Sequence, residues 1–193
     1  MPRRSSWTSV IAVAAFLACG SNDEPKDHNS CGGRSCPFDY TEFDASTPSV
    51  SFETDVMPVF RRACGFSVCH GKESGSAAEL YLGPKCPPAD DDPTCTQGVP
   101  DSVGRQAILD SIVGVVSKTA STMHLVTAAS PEQSFLMLKV DGCHNGAGLS
   151  CTVQDGAKTS GACGDPMPQS SDALCQSERD LIRRWIAQGA ANN

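Results

Sequence analysis

The residues best equipped for chemistry fall in two short stretches. "FRRACGFSVCHG", Phe60 to Gly71, carries Cys64, Cys69 and His70, and "GDPMPQ", Gly164 to Gln169, carries Met167 between two prolines. Two thiols, an imidazole and a thioether are soft or borderline donors. The thiols support three chemistries: a disulfide closing the short Cys64–Cys69 loop, ligation of copper or zinc, or covalent attachment of an organic group that carries a metal. A histidine directly after the second cysteine ties its imidazole to whatever the thiols hold. Pro166 and Pro168 restrict the backbone on both sides of Met167. A weak thioether ligand then keeps its place at a small entropy cost. His144, in "GCHNG", is a second imidazole that could serve in place of Met167.

Other stretches point to less. The acidic run Asp90 to Asp92 lacks the spacing of a calcium loop and reads as a solvated surface. His28 beside Cys31 and Cys36 has only weak standing as a metal clip. No G-x-S-x-G frames a nucleophile, and Ser, His and Asp fall in no hydrolytic order. The expectation is a carrier or binding module rather than an enzyme.

The chain has 193 residues and a formal net charge of −7. No basic stripe is available for phosphates, which argues against nucleic acid as a partner. Arg3 and Arg4 precede the short apolar run "VIAVAAFLA", and Cys19 follows at once in "FLACGS". This resembles a bacterial lipobox, with residues 1–18 as signal peptide and Cys19 as the lipidated first residue. Residues 19–50 are polar and rich in breakers and read as a flexible tether; residues 51–193 form the domain. No second apolar segment is long enough to span a bilayer, so a lipid is the expected membrane anchor. The expected location is the bacterial envelope, periplasm or outer membrane, where disulfides persist. With Cys19 lipidated, ten of the 11 cysteines are left. That even number pairs completely whether or not Cys64 and Cys69 are otherwise engaged. Loop-closure entropy favours near neighbours: Cys31–Cys36, Cys86–Cys95, Cys143–Cys151 and Cys163–Cys175.

Four helices must position these groups. Phe52, Val56, Val59, Phe60 and Ala63 share one helical face leading into Cys64, with Asp55 as expected N-cap so that Pro58 falls in the first turn. Ser102 to Val116 repeats apolar residues at helical period. "SPEQSFLMLKV" opens with Ser130 as cap and Pro131 at the first position, turning Phe135 and Leu138 inward. "CQSERDLIRRWIAQGA" carries Ser177 and Asp180 as a capping box, an apolar stripe including Trp185, and Gly189 as terminator. Strand signals are almost absent, so the fold class is all-α.

In that order, "DVMPVF", Cys69-His70-Gly71, "SPEQSFLMLKV", "MPQ" and "LIRRWIAQGA" resemble a class I c-type cytochrome. The resemblance runs from Phe52 to Ala190 and is to the cysteine-rich cytochrome-like domains of exported bacterial lipoproteins. It implies a small cytochrome c-like helical domain with long disulfide-stapled loops. It also implies haem c held through Cys64 and Cys69, with His70 as proximal and Met167 as distal iron ligand. Electron transfer to a redox partner protein is the implied function. The family's crossing of first and last helices suits the apolar faces of Phe60 and Trp185, which would shield the haem from water. The family's site is C-x-x-C-H; here four residues, "GFSV", separate the cysteines. They must bulge outward, or Cys69 alone forms a thioether. The alternative is a haem-free, disulfide-locked binding or surface module in which Cys64 and Cys69 bridge each other.

Overall fold

The first helical stretch starts at a reciprocal cap. Ser51 Oγ accepts from the Thr54 N–H at 3.2 Å, and the Asp55 carboxylate accepts from the Ser51 N–H at 2.8 Å. The helix therefore begins earlier than an Asp55 cap would place it. Pro58 has no N–H to donate. The turn before it, Phe52–Val56, takes the wider π register, and α1, Met57–Ala63, follows. This structure, a computed structural model, describes residues 33, 36–88, 92, 94–152, 161–169 and 173–193.

Asp101 caps α2, Ser102–Ile112, by accepting from the Gly104 N–H at 2.9 Å. The expected continuation to Val116 does not form. Val113 is extended and Gly114 adopts φ +71°, which favours glycine. Val113 and Val116 instead make isolated bridges to Val126 and His124. The helix expected from Ser130 is broken at Ser134, which is fully buried. Its hydroxyl donates to the Ser130 carbonyl at 3.0 Å and accepts from the Thr127 N–H at 2.9 Å. A 3-10 turn, Pro131–Gln133, precedes the break, and α3, Phe135–Asp141, follows it. The last helix, α4, spans Gln176–Ala187. Its cap is Cys175, whose N–H donates to the Glu178 carboxylate at 2.9 Å, and not the expected Ser177–Asp180 pair. Among the described residues the regular structure is helical and no strand forms, as an all-α reading requires.

The core closes where the first helical stretch meets α4. Phe52 stacks on Trp185 at 5.0 Å, and Phe60 meets Trp185 edge-on at 6.3 Å. Met57, Ile108, Ile112, Val126, Met137 and Ile182 complete the buried cluster. Full burial of each such side chain is worth about 1.5–3 kcal/mol before entropy is charged against it.

Three of the four arginines buried among the described residues tie separate segments together. Arg61 donates to the carbonyls of Pro84, Cys95 and Gln97 at 3.1, 2.9 and 2.9 Å, which ties the 84–97 loop to α1. Arg183 on α4 grips Asp141, at the end of α3, through two bonds of 2.7 Å. Arg179 approaches the same carboxylate at 3.4 Å. The guanidinium of Arg183 lies 3.5 Å from the centre of the Phe38 ring, with Tyr40 and Phe43 farther out. Gln188 fastens the same segment by donating to the carbonyls of Ala45 and Pro48 at 3.0 and 2.9 Å. Residues 36–50, placed in the tether by composition, thus pack on α4, and the folded unit reaches back to Cys36.

Three disulfides join described cysteines: Cys36–Cys143, Cys86–Cys95 and Cys151–Cys163. Cys86–Cys95 is the neighbouring pair expected. The other neighbour pairings are corrected, because Cys36 reaches across 107 residues to Cys143 and Cys163 pairs with Cys151. Cys175 is also disulfide-bonded. Among the described residues no helix is long and apolar enough to cross a membrane.

Candidate functional site

The four-residue spacer between Cys64 and Cys69 folds as a self-bonded loop. The Cys69 and Gly71 N–H groups both donate to the Phe66 carbonyl, at 2.8 and 3.0 Å. The His70 N–H donates to the Cys64 carbonyl at 3.2 Å. Gly65 and Gly71 make this possible, since a Cβ on Gly71 would stand 2.0 Å from the Gly65 carbonyl oxygen. The spacer bulges outward, leaving Phe66 41% and Val68 85% exposed. Cys64 and Cys69 are not bridged to each other or to any described cysteine. Burial pushes the Cys64 thiol up to about 12, so it is a neutral thiol rather than a thiolate.

His70 is buried, and its Nδ1 lies 3.0 Å from the Leu80 carbonyl oxygen. That bond orients the ring and commits Nδ1, so Nε2 is the nitrogen with which it could ligate. Burial lowers its pKa below the usual histidine value, while bonds to the backbone of Leu80 and Ala77 offset part of that effect. A neutral imidazole, the form that binds metals, is thereby favoured.

Cys64, Cys69, His70 and Met167 all line one cavity of about 480 Å³. Its walls are mainly apolar, with Leu80, Leu82, Leu125, Phe135, Leu136 and Val140 among them. The volume falls within the about 300–1,000 Å³ usual for small-molecule and cofactor sites. Met167 arrives on the loop before α4, and its N–H donates to the Lys139 carbonyl at 2.9 Å. Lys139 also lines the cavity. Of the large apolar side chains exposed among the described residues, Phe66, Val68 and Val116 also line the cavity, and Val103 does not.

Three expectations are corrected or relocated. His144 does not line the cavity; it is buried, with Nε2 2.8 Å from the Gly164 carbonyl oxygen. Phe60 and Trp185 touch each other in the core but do not line the cavity, whose apolar wall includes the leucines and Phe135. Asp92 is buried rather than solvated, accepting from the Thr94 hydroxyl at 2.8 Å and from the Gln97 N–H. Lys139 and the Leu80 carbonyl escaped the sequence reading. A lysine on a helix reads as solvent-facing, and a backbone acceptor carries no residue signal. Cys19, His28 and Cys31 lie outside the described residues.

Among the described residues no group of three or more His, Cys, Asp or Glu stands close enough to share an ion. No family model, curated protein or solved structure matches this chain.

Proposed function

We propose that the protein is a c-type cytochrome-like electron carrier of the bacterial envelope, with haem c as its cofactor. One observation carries this reading: unbridged Cys64 and Cys69, the oriented imidazole of His70 and the thioether of Met167 all line a single apolar cavity. Seven described cysteines are disulfide-bonded, and Cys64 and Cys69, in the segment that leads into His70, are not, which leaves both thiols available to a cofactor. Haem supplies a reversible one-electron iron couple and two vinyl groups to which thiols add as thioethers.

In this reading Cys64 and Cys69 would hold the group covalently, and His70 Nε2 and Met167 Sδ would ligate its iron. The Leu80 carbonyl fixes the imidazole and strengthens it as a donor. The apolar walls keep water out and favour the less charged, reduced iron. The exposed Phe66, Val68 and Val116 beside the cavity offer a surface for a redox partner protein. Export and lipidation at Cys19 fit the disulfides, which need an oxidising compartment.

The test is expression with a haem-attachment system, then intact mass and visible spectra. Covalent haem mass, a sharp Soret band and the weak red-end band of methionine-ligated ferric haem are expected. Met167→Ala should abolish the red-end band and lower the potential, and His70→Ala should prevent a stable holoprotein. Colourless protein with Cys64 bridged to Cys69 would overturn the reading in favour of a haem-free module.

A further inference from the structure

We propose that Lys139 is the positioning residue for Met167, holding the 163–167 segment against α3 from both its side chain and its main chain. The inference rests on the haem reading for its consequence but on geometry for its substance. One residue makes three bonds to the segment. Its Nζ donates to the Cys163 carbonyl at 3.0 Å and to the Asp165 carbonyl, and its own carbonyl accepts from the Met167 N–H at 2.9 Å. Those contacts fall at both ends of the short run that delivers the thioether.

The upstream end of the run is held by other means as well. Cys163 is bridged to Cys151, and its N–H donates to the Asn145 side chain at 2.8 Å. At Asp165 and Met167 the bonds to Lys139 join the segment to α3. The anchor is itself anchored. Two residues along α3, Asp141 is gripped by Arg183 of α4, and Cys143 is bridged to Cys36. Lys139 therefore reaches the segment from a rigid platform, the arrangement that holds a weak ligand in register.

The lysine is an expensive choice for packing alone. It lines the cavity, half-buried, with its aliphatic stem beside Phe135 and its ammonium 5.8 Å from that ring's centre. Burial lowers its pKa to about 8, partly offset by the nearby Asp165 carboxylate. A methionine of similar volume would fill the space without that cost. What it could not do is donate to two carbonyls, and that capacity is what the geometry uses.

The experiment compares wild type, Lys139→Met and Lys139→Arg. Intact mass first reports covalent haem, which tests the parent reading alone. Imidazole is then titrated against the ferric proteins, because it binds iron only while the methionine is off. Its apparent affinity therefore reports the open fraction. Losing two charge-assisted bonds should raise that affinity about tenfold or more in Lys139→Met. Lys139→Arg, which can still donate to both carbonyls, should lie near wild type, and the melting temperature of Lys139→Met should not fall. Equal imidazole affinity in all three proteins overturns the proposal. Amide exchange at Gly164, Asp165 and Met167 reads the same opening without haem: about tenfold faster in Lys139→Met and restored in Lys139→Arg. If wild type carries no haem, the parent reading fails and the exchange rates decide the clamp, unchanged rates refuting it.

Discussion

The backbone N–H of His70 donates to the carbonyl of Cys64 at 3.2 Å, so the residue after the second cysteine closes back on the first. The bond draws the two ends of the four-residue spacer together. The surplus chain is thrown outward as Phe66 and Val68, while Gly65 and Gly71 bring the two ends of the loop together backbone to backbone.

Gly71→Ala should break this loop. The new methyl would stand 2.0 Å from the Gly65 oxygen, and Gly65 cannot retreat, because its own Cβ position is 2.7 Å from the Arg61 carbonyl oxygen. Overpacking of backbone against backbone should cost about 2 kcal/mol or more and separate His70 from Cys64. Gly146→Ala, where nothing lies within 4 Å of the added carbon, is the control and should change the melting temperature little. Equal melting temperatures for the two variants would show the loop to be looser than described.

A non-reducing peptide map should recover Cys36–Cys143, Cys86–Cys95 and Cys151–Cys163, with Cys64 and Cys69 in no disulfide peptide. Recovery of Cys31–Cys36 or Cys163–Cys175 would instead restore the neighbour rule.

The contrast between those two maps shows what was legible in the sequence. Cys86–Cys95 could be read because nine residues close cheaply whatever the fold does. Cys36–Cys143 could not, because its partners meet only once α3 and the 36–50 segment are both docked. No periodicity in the sequence says that His70 and Met167 line the same cavity. Helix ends were the weakest reading. Ser51, Ser134 and Glu178 compete as caps and breakers by side-chain bonds that depend on neighbours three or four residues away. Lys139 stayed hidden because its partners are backbone carbonyls 24 and 26 residues distant.

The 44–47 turn should loosen in acid. Hydroxyl bonds from Thr47 and Ser46, then the Ser46 amide, hold the Asp44 carboxyl below the ordinary 3.8. A depressed carboxylate stabilises the folded form fully above pH 3.8 and loses that contribution as pH falls through its lower folded value. The Asp44 carboxyl carbon, followed by NMR, should titrate below 3.8. Amide exchange at Ser46 and Thr47, corrected for intrinsic rates, should accelerate over the same range. Titration at 3.8 or above would exclude the contribution.

The Asp141–Arg183 pair should prove costly to break and cheap to replace. Arg183 is fully buried and meets Asp141 through two bonds of 2.7 Å, with Asp180 as a second, more exposed partner. Asp141→Asn leaves a buried guanidinium with only part of its compensation, and breaking such a pair costs about 3–5 kcal/mol. Asp180 should hold the loss to the low end of that range. Arg183→Met leaves Asp141 with Arg179 alone, at 3.4 Å, and removes the cation beneath Phe38. The double variant Asp141→Asn, Arg183→Met removes both charges of the pair, so neither is left buried without the other. It should therefore be more stable than either single variant, which urea unfolding would measure as a coupling energy. The pair joins α3 to α4, so Asp141→Asn should also loosen the platform from which Lys139 holds Met167, and amide exchange at Met167 should rise with the global loss. Additive single and double variants would mean that the two residues act independently and that α3 is held by its apolar face alone.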